Sequence, residues 1–107
     1  MPVWHKTLKD RFTTLPTFQQ MIMVANELNR AQNMQAVPQE YKNALERALE
    51  LIDFISADPR WRNKLKELRR GREVMAAFYM NPVCQNTSVL QRCLLQLDSE
   101  AWKYMNL

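Results

Sequence analysis

Apolar residues recur along this chain at helical intervals, and no stretch alternates in the manner of a strand. Phe18, Met21, Ile22, Ala25 and Leu28 form one stripe. Tyr41, Ala44, Leu45, Ala48, Ile52 and Ile55 form a second, with Glu46, Glu50 and Asp53 on the opposite side. Trp61, Leu65, Leu68, Met75, Ala76 and Tyr79 make a third, and Leu90, Cys93, Leu94, Leu97, Ala101 and Tyr104 a fourth. Steps of three and four residues place each set along one side of a helix.

Punctuation between the stripes sets the boundaries. Thr17 with Gln20, and Ser88 with Gln91, have capping-box spacing. Pro38 ends one element and opens the next, because proline fits only the first turn of a helix. Asp58-Pro59 reads as an N-cap followed by a first helical residue, and Asn81-Pro82 as a stop. The expected helices are 17–33, 38–56, 59–80 and 88–105, preceded by a leading segment or short helix at 1–14. That segment carries Trp4, Leu8 and Phe12 on one side. Short connections make neighbouring helices antiparallel. The expected fold is all-α: an antiparallel four-helix bundle in a single helical domain over 1–107, with room for a short extra N-terminal helix.

Composition agrees with such a core. The chain has 107 residues, 47% of them hydrophobic, and a single glycine. Disorder is disfavoured by that apolar content. The longest apolar run, Val74 to Met80, is far short of the roughly 20 residues that span a bilayer, so no membrane partner is expected. The first residues lack the apolar core of a secretory signal, and two cysteines are too few for a disulfide framework. A cytoplasmic or otherwise intracellular setting is therefore expected. Cys84 and Cys93 read as small buried hydrophobes.

Catalytic chemistry finds little footing. His5 is the single histidine, without a partnered nucleophile, and the one glycine cannot form a phosphate loop. Glu46, Glu50 and Asp53 share a side at i, i+4 and i+7 but face away from the core, as a solvated acidic face does. No enzyme activity, metal or cofactor is expected.

Two patterns call for more than a core. From Arg60 to Arg72 lie seven basic residues and one acid, a local charge of +6 in a chain of net +4. Arg62, Lys66, Arg69 and Arg70 fall within roughly 100° on a helical wheel. Such a ridge either contacts the phosphates of a nucleic acid, complements the acidic second helix, or is simply solvated. Arg72 projects into the third apolar stripe, so it needs an acidic partner or a route to water; a kink at Gly71 could re-aim it. The second pattern is apolar residues off the core stripes. Phe54 sits among Arg47, Glu50 and Asp53; Leu95 and Trp102 stack on a second side of the last helix. Val74 and Phe78 leave the third helix apolar nearly all round. Either the leading segment covers them or another protein does.

The expected function is that of a small non-enzymatic helical bundle acting through protein–protein contact, including self-association as a homo-oligomer. Its contact candidates are Phe54, Val74, Phe78, Leu95 and Trp102. The alternative is a nucleic-acid-binding module using Arg62, Lys66, Arg69 and Arg70.

Overall fold

The computed structural model describes residues 9–105, which are predominantly helical with no strand among them. One helical turn at residues 9–12 leads into α1 (Thr17–Asn33), α2 (Pro38–Ala57), a 3-10 segment (Pro59–Lys64), α3 (Leu65–Met80), α4 (Ser88–Leu95) and α5 (Ser99–Met105). Trp4, His5 and Leu8 lie outside the described residues. No helix among those described is long and apolar enough to cross a membrane.

The polar cross-links show that neighbouring arms run antiparallel. The start of α1 meets the end of α2, where Gln20 Nε2 donates to Asp58 Oδ2 at 3.2 Å. At the other end Arg30 pairs with Glu40 at 2.9 Å. Between α2 and α3, Lys42 lies 5.4 Å from the Tyr79 ring centre near one end, and Arg72 bonds Asp53 at 2.7 Å nearer the other. Between α1 and the last arm, Thr87 Oγ1 donates to the Leu28 carbonyl at 2.6 Å, and Thr17 Oγ1 to Asp98 Oδ2 at 2.9 Å. The result is an all-α bundle of four arms, α1 packing on α2, α4 and α5.

The core follows the stripes. Met21, Val24, Ala25, Leu28 and Ala31 of α1 face Tyr41, Ala44, Leu45, Ala48, Leu51, Ile52 and Ile55 of α2 within one buried cluster. α3 contributes Leu68 and Met75, and the last arm Leu90, Leu94, Leu95 and Ala101. Gly71 is buried at the contact with α4. A Cβ there would stand 2.8 Å from Leu94 Cδ2, so close helix approach accounts for the glycine without invoking a kink.

Four details differ from the sequence-based expectations. The third arm opens as 3-10 turns, because Asp58 and Trp61 are both tied to Gln20 on α1 and hold the entry to this arm tightly wound. The fourth arm is not one helix over 88–105. It breaks at residues 96–98, where Asp98 Oδ1 accepts from the Glu100 and Ala101 amides and so caps a new helix. Neither capping box forms. Thr17 is spent on Asp98; Gln20 is buried; and Thr87, ahead of Ser88, is the N-cap of α4. Cys93 is exposed, although Cys84 is half-buried.

Gln20 anchors the most connected polar cluster. Its Nε2 donates to the Phe12 carbonyl at 3.0 Å and to Asp58, and its Oε1 accepts from Trp61 Nε1 at 2.7 Å. Asp58 in turn receives Arg60 through its backbone amide, Nε and Nη2, the last at 2.7 Å. Arg60 Nη2 also donates to the Thr13 carbonyl at 3.1 Å. The Arg60 hydrogen bonds, reinforced by Gln20, pull the Asp58 carboxyl from 3.8 to about 2 against the opposing effect of burial. A carboxyl depressed in the folded state lends stability that is fully present above its unfolded value and disappears as pH falls through the folded one. In urea unfolding, the stability gap between wild type and Asp58→Asn should therefore be constant above about pH 4 and close as pH approaches 2. A gap independent of pH over that window would contradict the arrangement.

Candidate interaction surface

α3 offers its inner side to the bundle through Leu68, Gly71 and Met75. At 100° per residue, the opposite side collects Lys66, Arg69, Arg70, Glu73, Val74, Ala77 and Met80, and every one of these is exposed. The strip from Lys66 to Met80 is about 21 Å long at 1.5 Å per residue. Its first two turns are basic, with exposed Glu67 at their edge, and its last two are apolar, with Glu73 between. Val74 is 39% exposed and Met80 77%; beyond the helix, Val83 is 65% exposed.

The basic residues of this region divide by role. Arg60 serves the Asp58 cluster. Arg72 is not buried in the apolar stripe; it is exposed at the flank of α3 and bonds Asp53 on α2 through Nε, which raises its pKa further. Lys64 is half-buried. Arg62, on the 3-10 segment, and Lys66, Arg69 and Arg70, on α3, are all exposed. Among the described residues none of these four has an acidic partner within ion-pair distance. Lys66 also opposes the helix dipole, whose positive end lies in the first turn of α3. Helix stability therefore gives no reason for the ridge.

The five apolar candidates separate. Phe54 is half-buried, its ring centre 6.0 Å from that of Phe12 at a 52° tilt, so residues just before α1 do cover part of it. It also lines a surface cavity of about 250 Å³ with Lys9, Thr13 and Arg60. Leu95 is only 4% exposed, which places it in the core and not on a second, outward side. Leu95 lies before the break at residues 96–98: the buried side of α4 runs through Leu90, Leu94 and Leu95, while Cys93 is exposed. Leu95 and the half-buried Trp102 are nonetheless brought together, lining a notch of about 180 Å³ with Gln91, Arg92 and Met105. Phe78 is half-buried against the core, whereas Val74 belongs to the outer strip.

Met80 and Val83 were not among the residues that sequence reasoning selected. Their signal is legible afterwards: Met80 lies on the wheel between Arg69 and Glu73, and Val83 follows a proline stop. The apolar end of α3 suggested burial on more than one side, yet among the described residues its outer side stays uncovered. Exposed Val37 and Val89 lie near the same end of the bundle, where Gln35 Nε2 donates to the Gln85 carbonyl at 2.7 Å and the Gln85 amide to Tyr41 Oη at 2.8 Å. Burial of the Tyr41 phenol raises its pKa there. Among the described residues, no group of three or more His, Cys, Asp or Glu is placed to hold a metal.

Leu95→Ala should cost about 2–5 kcal/mol in urea unfolding, as a core truncation does. Met80→Ala, at an exposed site, should stay within about 0.5 kcal/mol of wild type. The reverse order would place Leu95 on the surface and Met80 in the core.

No family model matches the chain, and neither a curated protein nor a solved structure matches it.

Proposed function

We propose that this protein is a non-enzymatic docking module that works through protein–protein contact along the outer side of α3. The observation that carries the reading is the strip itself: exposed cations that have no acidic partner among the described residues, continuous with apolar side chains that those residues leave uncovered. Interface cores characteristically gather arginine and methionine, while cationic surroundings steer an oppositely charged partner. The Leu95–Trp102 notch supplies a second place for an apolar anchor, with Arg92 at its edge. Self-association is accommodated most readily there, since the strip would oppose its own charges. A second reading, phosphate binding by Arg62, Lys66, Arg69 and Arg70, is favoured by the exposure of all four.

Site-specific photocrosslinking in the source cell tests this. A photoreactive residue at Ala77, in the middle of the strip, should give adducts with protein, and one at Glu46, on the outer side of α2, should not. Nuclease-sensitive adducts at Ala77 would favour the phosphate reading. Equal labelling at both positions, or none at Ala77, would defeat the docking reading.

A further inference from the structure

We propose that the outer side of α3 seats an amphipathic helix of a partner protein, acidic over two of its turns and apolar over the next two. This rests on the docking reading above and adds the chemistry of the partner. Charge and apolar surface are arranged along one line. Lys66, Arg69 and Arg70 occupy the first half of the strip, with Arg62 beyond them on the 3-10 segment. Val74, Ala77 and Met80 occupy the second, and Val83 extends it. An occupant must supply carboxylates to the first half and bury the second, in a single element about 21 Å long. A helix of about 14 residues has that length, and helix-in-groove docking reads such anchors at intervals of three and four.

Other occupants fit less well. A nucleic acid would satisfy the cations, but its backbone would lie against Glu73 and leave Val74 and Met80 without apolar contacts. No exposed aromatic interleaves the ridge for bases to stack on. A second copy has the same strip and a net charge of +4. A two-fold contact would set cation on cation, or guanidinium on methionine with no counter-charge. A membrane-surface helix divides its polar and apolar residues across the helix, so that one side can sink into the interface. Here the division runs lengthwise. Inserting the Met80 end would leave Lys66 about 21 Å away along the axis, beyond the Debye length of about 8 Å at physiological salt.

Glu73 sets the register. It sits where the basic half meets the apolar half, and it lies four residues after Arg69, in the weaker order for an ion pair within a helix. Among the described residues Arg69 makes no ion pair, which leaves it open to an external carboxylate. The Glu73 carboxylate disfavours acidic residues at its own level, and exposed Glu67, at the edge of the basic half, turns a partner's acids towards Lys66, Arg69 and Arg70.

The test is an NMR titration of the full ¹⁵N-labelled chain, which detects weak complexes and maps them. The probes are a 16-residue helical peptide with four glutamates in its first half and leucines at two successive helical spacings in its second, a shuffled peptide of identical composition, a random 15-mer of single-stranded DNA, and vesicles containing anionic lipid. The block peptide should bind at least tenfold more tightly than the shuffled one, shifting amides of residues 62–83. Arg69→Glu with Arg70→Glu should weaken it at least tenfold, as should Met80→Asp; circular dichroism should show both variants folded, since all three sites are exposed. The charge-reversed variant should regain binding to a block peptide carrying lysines in place of glutamates. Equal binding of block and shuffled peptides, tighter binding of the oligonucleotide or the vesicles, or indifference to Met80→Asp would overturn the proposal. Protein adducts at Ala77 with no block-peptide preference would reject the amphipathic helix and keep the docking reading; absence of those adducts removes both.

Discussion

A buried glutamine amide holds this bundle in register. Gln20 has no exposure, and each end of its amide is matched: the nitrogen by the Phe12 carbonyl and the Asp58 carboxylate, the oxygen by the Trp61 indole. Leaving any of these groups buried and unpaired costs roughly 1–3 kcal/mol, so sliding α1 past its neighbours is penalised several times over. The same cluster fixes three separate stretches of chain. It ties down the turn before α1, the end of α2 and the 3-10 entry into the third arm. Apolar stripes alone tolerate slippage by a helical turn; a directional polar cluster does not.

That constraint decides what α3 can do. With its entry pinned by Trp61 and its middle drawn against Leu94 by the absence of a Cβ at Gly71, α3 has a fixed inner side. Its outer side is then fixed as well. Arg72 and Asp53 close the flank towards α2, which separates a basic residue used for the fold from the four that are not. What remains is a helix surface graded from basic to apolar along its length and left uncovered among the described residues. Among the described residues this surface takes no part in the packing of the bundle.

How much of this was legible in the sequence varies with the physics involved. Helix identity and the antiparallel bundle follow from periodicity and short connections, and these were read correctly from the stripes. Asp58-Pro59 also marked its boundary correctly, because a cap and a proline act locally. The break at Asp98 was legible in principle, since Asp98-Ser99-Glu100 is itself a start signal, but a continuous apolar stripe from Leu90 to Tyr104 concealed it. Leu95 was misplaced because the expected stripe ran through Cys93, which is exposed, and not through Leu95. Gln20 was beyond reach: its local spacing from Thr17 suggested a capping box, and nothing local announces a tertiary partnership with Trp61, 41 residues away. On the surface, the ridge was legible as charge. Its freedom from counter-charge was not, because Arg72 and Arg60 differ from Arg69 and Arg70 only through the acids that α2 brings to them.

The central claim is that the four-residue ridge serves a partner and not the fold. The most direct measurement is the urea-unfolding free energy of a variant with Arg62, Lys66, Arg69 and Arg70 all changed to glutamine. Among the described residues these side chains make no ion pairs, and Lys66 stands in the first turn of α3, at the unfavourable end of the helix dipole. The account therefore predicts a stability within about 0.5 kcal/mol of wild type, or higher. A loss of about 2 kcal/mol or more would show that the ridge stabilises the bundle itself, and would contradict the account.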